Sequence, residues 1–302
     1  MSILVVGSVA FDTVTTPFGQ ATEVLGGSAT YFAAAASFFT DVRVVAVVGE
    51  DFPEEALDFL RKRNVDLRGL QRAPGRTFRW VGEYGFGLNE ARTLDTQLNV
   101  FADFAPEIPE EYRDAEVVFL ANIDPDLQRE VLCQVRRPAL IAADTMNYWI
   151  TGKPDSLRQT LGMVDMLIIN EAETRQIAGE ANLVHAAQKV RALGPRAVII
   201  KRGEYGALMF NEGGWFSAPA LPLEAIRDPT GAGDTFAGGF VGYLANTMNF
   251  DDATVRKAII MGSVMASFNV EAFSLDRLRT LTYEEIETRY RVFKRLAQFE
   301  DL

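Results

Sequence analysis

Short runs of continuous apolar, largely β-branched residues recur along the chain, and most are followed by a stretch with helical spacing. Ile3 to Val6 opens the pattern and closes on Gly7, and Val42 to Val48 precedes an amphipathic stretch from Phe52 to Arg63. Val117 to Leu120 leads to a helix from Pro125, Leu140 to Ala143 to one near Pro154, and Met166 to Ile169 to one from Glu171; Ala197 to Lys201 ends the series. A strand that is apolar at every residue has to be covered on both faces. The pattern therefore predicts an α/β fold, a doubly wound and mostly parallel sheet with helices on both faces and right-handed crossovers.

Residues 12–26 and 75–102 break this rhythm. They are rich in Thr, Phe, Gly and charge, and Thr77 to Tyr84 partly alternates in polarity, which predicts half-exposed antiparallel strands. We read them as a small β lid on one edge of a single domain spanning residues 1–302. Beyond residue 205, short strands are expected around Gly206 to Phe210 and Gly214 to Ser217. Helices are expected over Gly233 to Asn246, Ala253 to Val270 and Tyr283 to Phe299.

With 48% hydrophobic residues in 302, the chain has ample material for one large core. Its net charge is −11, and no Lys/Arg run exceeds Arg61-Lys62-Arg63, read here as the solvated last turn of a helix. Without a basic stripe, neither a nucleic acid nor a membrane surface is an expected partner. No apolar stretch approaches the roughly 20 residues that span a bilayer. The single cysteine, Cys133 in the run Val131-Leu132-Cys133, excludes a disulfide framework and reads as a buried, inert thiol. A cytoplasmic location is expected.

The segment Asp228-Pro229-Thr230-Gly231-Ala232-Gly233-Asp234 carries the most chemistry. Pro229 ends a strand, the glycines permit backbone shapes that side chains forbid, and Phe236, Phe240 and Leu244 then recur at helical spacing. A bare loop opening into a helix offers free N–H groups and a positive dipole end to an anion. Asp234, in the first turn, reads either as a cap or as a base beside that anion; Thr230 would cap equally well.

This segment, followed by Phe236 and Gly239, resembles the C-terminal signature of the ribokinase-like (pfkB) carbohydrate and nucleoside kinases, and the resemblance runs over essentially the whole chain. It implies an ATP-dependent kinase that phosphorylates a hydroxyl of a sugar or ribonucleoside. Asp234 would be the base, with the amides of Gly231, Ala232 and Gly233 stabilising the transferring phosphoryl group. Asp12 and Gly27 resemble the family's substrate-binding elements, although Asp12 also suits a turn before Thr13. Asn170 and Glu173 match an Asn-x-x-Glu element that organises Mg²⁺ through water; the same pair suits a helix capping box. Lys201, Gly203 and Gly206 resemble the nucleotide loop, with Thr230 beside it. The resemblance leaves a monovalent cation such as K⁺ open at Asp228, and a homodimer formed through the lid is expected.

Two positions depart from the family pattern. Tyr31 stands where an Asn usually contacts the sugar, so Tyr31 is either a substrate contact or core packing. Ser267 to Ser274 lacks a glycine often found near the adenine and cation sites. Met265 to Ala272 is similar to microbial nucleoside kinases, which tips the expected substrate toward a nucleoside over a free sugar such as ribose or fructose. The lid aromatics Phe78, Trp80, Tyr84 and Phe86 would either stack on a substrate or pack on one another. A silent nucleotide sensor is disfavoured by the intact Asp234. A dinucleotide-binding dehydrogenase is disfavoured because no GxGxxG follows the first strand. The lone His185 falls on a helix and reads as surface.

Overall fold

The computed structural model describes every residue except Asn64, Phe299, Asp301 and Leu302. In chain order its strands are β1 (Ser2–Val6), β2 (Ala10–Thr16), β3 (Gly19–Gly26), β4 (Asp41–Gly49), β5 (Val65–Ala73), β6 (Phe78–Tyr84) and β7 (Ala91–Gln97). They continue with β8 (Val117–Leu120), β9 (Leu140–Ala143), β10 (Met166–Asn170), β11 (Ala197–Lys201), β12 (Ala207–Asn211) and β13 (Gly214–Ala218). The helices are α1 (Ser28–Ala36), α2 (Asp58–Arg61), α3 (Pro125–Gln134), α4 (Asn147–Gly152), α5 (Pro154–Leu161) and α6 (Glu171–Ala178). After them come α7 (Leu183–Arg191), α8 (Ala232–Thr247), α9 (Asp252–Asn269), α10 (Asp276–Thr280) and α11 (Tyr283–Leu296).

Nine strands form one sheet in the order β13-β12-β11-β10-β9-β8-β1-β4-β5. All neighbours are parallel except β12 and β13, which return antiparallel at the edge. Every residue of β1 is buried. Its side chains alternate between two apolar layers, Ile3 and Val5 into one, Leu4 and Val6 into the other, as a pleated strand covered on both faces must do. One layer holds α1, α8, α9 and α11, and the other α3, α5 and α7.

The lid is a second sheet, β3-β2-β6-β7. Its outer pairs are antiparallel, but β2 and β6 run parallel, which corrects the all-antiparallel expectation. The reason lies in the large sheet. β2 continues from β1 and β6 from β5, and since β1 and β5 share a direction, their extensions leave the sheet the same way. β5 itself escaped the sequence pattern because it is an edge strand with Asp66, Arg68, Gln71 and Arg72 interleaved. The amphipathic stretch before it is only a single 3₁₀ turn, Glu54–Leu57, and the one turn of α2. The last helix ends at Leu296, so the expected boundary at Phe299 lies outside the described residues.

Two surface readings are also corrected. Cys133 is exposed, because α3 buries Pro125, Gln128 and Val131 and turns Cys133 to the other side. Arg63 is not a solvated helix end. Its guanidinium donates to the Leu278 and Arg279 carbonyls at 2.5 and 3.0 Å, capping α10, and lies over the Phe38 ring at 4.3 Å. His185 is exposed, as its sequence context suggested.

The helices α1 and α8 approach closely enough for backbone to touch backbone. A methyl group on Gly238 would lie 2.4 Å from the Phe32 carbonyl oxygen. Gly238→Ala is therefore expected to lower stability by about 1–3 kcal/mol, the usual cost of overpacking, in urea unfolding. Gly152→Ala, where the added methyl meets open space, is the control and should leave the midpoint in place.

Candidate active site

The carboxyl ends of the parallel strands place polar residues along one edge, where ligands bind in open α/β sheets. Asp144 follows β9, Asn170 ends β10 and Lys201 ends β11. Beside them, the loop 228–231 runs into α8.

That loop is held from several sides. Buried Asp228 accepts the Thr230 N–H at 2.8 Å and the Ser274 N–H at 3.3 Å. Asn269, fully buried at the end of α9, donates to the Thr230 carbonyl at 2.8 Å and accepts from the Thr235 hydroxyl at 3.2 Å. The N-cap of α8 is Gly231, with φ 72 and ψ 0, and no side chain caps the helix. This corrects the capping reading of Thr230: its amide is tied to Asp228 and its hydroxyl lies 3.5 Å from the Tyr84 hydroxyl of the lid. Gly231 is required on two counts. Its left-handed backbone disfavours other residues, and a methyl group there would enter the Tyr31 ring at about 2.5 Å. The Ala232 N–H closes a turn on the Pro229 carbonyl at 3.1 Å, so that amide is committed. The Gly231 and Gly233 N–H groups, at the helix start, are engaged by no carbonyl among the described residues.

Asp234 lies in the first turn of α8. Burial and the nearby Asp144 charge push its carboxyl up to about 7, against the opposing pull of Lys201 and its own N–H. That places the carboxyl near neutrality in the free protein. Glu173 is likewise raised to about 7, by burial and by Asp144. With Asn170 it forms a true capping box: the Asn170 N–H donates to Glu173 and the Glu173 N–H to Asn170, both at 2.8 Å. The Lys201 ammonium pairs with Asp144 at 3.0 Å, and a methyl group on Gly233 would lie 3.0 Å from it. Gly203 begins a single 3₁₀ turn, Gly203–Tyr205, closed by the Arg202 N–H donating to the Gly206 carbonyl at 2.8 Å.

Across the cleft, Asp12 on β2 is buried; burial and the charges of Asp228 and Asp234 raise it to about 7, against the opposing pull of the Gly27 N–H. Tyr31 is buried beneath Gly231, and its hydroxyl has no hydrogen-bond partner among the described residues. Of the lid aromatics, Phe78 stacks on Phe101 with centroids 5.3 Å apart, and the Trp80 indole donates to Thr93 within the lid. Phe86 is almost fully exposed, and only Tyr84 points to the loop. The structure therefore gathers Asp12, Gly27, Tyr31, Thr230 to Asp234, Asn170, Glu173 and Lys201 at one cleft, whereas Gly203 lies beside Asn89 and Gly206 beside Ala218 and Ala220. Sequence reasoning missed Asp144, Asn269 and Ser274. Asp144 had a readable signal, the first charged residue after a buried parallel strand; Asn269 had none apart from its place in the Met265 to Ala272 segment.

A doubly wound sheet with a strand lid and a glycine-led helix start at the strands' carboxyl edge defines a ribokinase-like phosphotransferase. The family model for pfkB family carbohydrate kinases matches residues 2–278, and the chain belongs to that family. A cytidine kinase of Thermococcus kodakarensis is 34% identical over 249 residues, covering 80% of this chain and 87% of that protein. A 2-dehydro-3-deoxygluconokinase of Thermoproteus tenax is 27% identical over 278 residues, covering 80% of each. The structure of a Burkholderia thailandensis nucleoside kinase in complex with inosine matches with a TM-score of 0.76 at 20% identity, over 96% of this chain and 98% of that one. At that identity the likeness shows the fold. The chain is thus a kinase of the sugar and nucleoside class, transferring a phosphoryl group to a hydroxyl.

Three of the raised carboxyls, those brought to about 7, have a consequence for stability. Asp12, Glu173 and Asp234 bind protons more tightly folded than unfolded, so folding is penalised as pH rises from their unfolded values near 4 to their folded values near 7. The melting temperature of the free protein is expected to fall between pH 5.5 and 8. Asp234→Asn should raise it by a few degrees at pH 8 and flatten that slope, as followed by calorimetry.

Proposed function

We propose that this chain is a ribonucleoside kinase that transfers the γ-phosphoryl group of ATP to a ribose hydroxyl, with cytidine the foremost acceptor. The observation that carries the reading is the pairing of a half-buried acid, Asp234, with amides that no described group engages at one helix start, facing a buried acid, Asp12, across the cleft. The identity of the cytidine kinase over most of both chains supports the nucleoside.

In this reading Asp12, steadied by the Gly27 N–H, orients the acceptor's hydroxyls. Asp234 takes the proton of the attacking hydroxyl. A bond forms from that oxygen to the γ-phosphorus while the bond to the β–γ bridging oxygen breaks, and ADP leaves with the electron pair. The Gly231 and Gly233 amides hold the charge on the transferring group, which is where such loose transition states gain most. Because Asp234 sits near neutrality in the free protein, it needs little further rise to accept a proton. Thr230, Gly203 and Gly206 frame the nucleotide side.

Among the described residues, no group of three or more acidic, His or Cys side chains forms a metal cage. Three carboxylates, Asp144, Glu173 and Asp234, do surround one ammonium, an acidic excess that suits Mg²⁺ held mainly by phosphates and water. Glu173 and Asn170 would hold it, and bound Mg²⁺ would offset phosphate charge. Asp228 is occupied by two amides, which favours a role as a loop staple over a K⁺ ligand. The free edge of β7, exposed at all seven residues, supports lid-to-lid pairing of two copies. ATP as donor fits a cytoplasmic place of action, and no described helix is long and apolar enough to cross a membrane. The gluconate-type kinase keeps a free sugar acid as the second reading.

ADP release with cytidine, adenosine, inosine, ribose, fructose and 2-dehydro-3-deoxygluconate separates the readings, and cytidine is expected to give the highest kcat/KM. Asp234→Ala should lower kcat by roughly two to four decades, the range of a lost acid–base group, while ATP still binds. Near-normal kcat in that variant would remove Asp234 from its role. Adding K⁺ is expected to leave kcat unchanged.

A further inference from the structure

We propose that Lys201 is a further catalytic residue, gripping the migrating phosphoryl group beside the α8 amides, and that Asp144 is its positioning residue. This rests on the kinase reading of the same cleft but not on which acceptor it uses.

The pair is built with unusual fixity. β9 and β11 flank β10, so Asp144 and Lys201 reach toward each other across the end of β10 and meet at 3.0 Å. Their side chains are 7% and 17% exposed. Every polar group of Asp144 is tied down. Its N–H donates to the Leu120 carbonyl at 2.9 Å, and its carbonyl accepts from Gln128 at 3.0 Å. One carboxylate oxygen takes the Thr145 N–H at 2.8 Å, and the other takes Lys201. Gln128, itself fully buried, also donates to the Ala121 carbonyl at 3.0 Å, binding the ends of β8 and β9 into one pedestal.

Stability does not account for such a pair. Removing two charges from water costs about as much as their attraction returns, and well-packed apolar residues often serve as well or better. What the pair does achieve is placement. The ammonium stands beside Gly233, one of the two glycines whose amides are free. Arg202, next in the chain, is turned away to Glu171 at 2.6 Å, leaving Lys201 as the cation facing the helix start. A compact ammonium with three donors suits a phosphoryl group whose oxygens shift during transfer. The ion pair keeps it from collapsing onto Asp234. Held in advance, it lowers the barrier without reorganisation at the moment of reaction.

The test compares Lys201→Met, Lys201→Arg and Asp144→Asn with the parent protein in steady-state kinetics, Mg·ADP calorimetry and pH profiles. Lys201→Met is expected to lower kcat about 10²–10³-fold, the range for one lost transition-state donor, with the KM of the acceptor little changed. Lys201→Arg should recover part of that loss. Asp144→Asn should lower kcat about 10–100-fold by loosening placement while Mg·ADP still binds. The groups facing Asp234 are Asp12 on β2, Tyr31 on α1, Tyr84 on β6, Asp144 after β9, Glu173 on α6 and Lys201 on β11. Only Lys201 among them is cationic, so its loss should move the acid limb of kcat/KM to higher pH. A merely structural lysine would instead lower the melting temperature and the active fraction, leaving the limb and the acceptor KM in place. Lys201→Met with kcat within twofold of the parent overturns the assignment. If Lys201→Met does not fold, Lys201→Arg and Asp144→Asn decide it by the same split. If no acceptor is phosphorylated, the slow transfer from Mg·ATP to water is measured instead. A fall in that rate in the variants upholds Lys201 while the nucleoside reading fails, and an unchanged rate rejects Lys201.

Discussion

Backbone contact between α1 and α8 sets the distance between the two halves of the cleft. The contact exists because Gly238 and Gly242 present no side chain to α1, whose Phe32 carbonyl and Ala36 backbone fill the space. The run Ala33 to Ala36 serves the same end from the other side, since larger residues there would force the helices apart. α1 begins at Ser28, directly after the glycine whose amide steadies Asp12, and α8 begins at the loop that carries Asp234. Tyr31 lies between these starts, with its ring under Gly231. A shift of α1 against α8 would therefore change the spacing between Asp12 and Asp234. Core packing and site geometry are one constraint here.

The second constraint is electrostatic and works against stability. Five acids, Asp12, Asp144, Glu173, Asp228 and Asp234, are drawn into one cleft with one ammonium among the described residues, that of half-buried Lys201. Folded proteins carry such imbalance only where another gain offsets it. Here the carboxyls of Asp12, Glu173 and Asp234 respond by holding protons near neutrality, so the free protein moderates its own repulsion. Cationic ligands entering the cleft would relieve it further, which couples ligand binding to overall stability. The loop staples Asp228, Asn269 and Ser274 resist the strain locally, by tying the loop to the end of α9 and to the segment after it.

How much of this was legible in the sequence follows from how locally each feature is encoded. β1, β10 and β11 were readable because a strand buried on both faces is apolar at every position, and α8 was readable because its glycines and aromatics fall within one short segment. The cluster around Asp234 could be named for the same reason. β5 could not, since an edge strand may alternate polar residues without a helix or strand period that stands out. The parallel pairing of β2 with β6 depends on strand directions fixed elsewhere in the large sheet. Asp144 and Lys201 are 57 residues apart and meet only because β9 and β11 flank β10. The exposure of Cys133 and the capping role of Arg63 likewise depend on which face of a short helix meets its neighbours, which one residue's context does not reveal.

Tyr31 shows how the departure from the family pattern bears on the acceptor. An Asn at this position would present an amide to a sugar; the tyrosine presents a ring to Gly231 and leaves its hydroxyl buried and unpaired near Asp12, Asp228 and Tyr84. An unpaired buried hydroxyl costs free energy, so the ring's support of the Gly231 backbone has to outweigh it. In the proposed reading, contacts that an Asn would make with the acceptor come instead from Asp12 and from the lid, through β2 and β6. Tyr84 already joins the lid to the phosphoryl loop through Thr230. On this geometry, selectivity among acceptors shifts from α1, which is fixed in the core, to the lid, whose strands meet the large sheet only at one edge. In that reading, a lid-borne selectivity can change with few substitutions while the phosphoryl side stays constant.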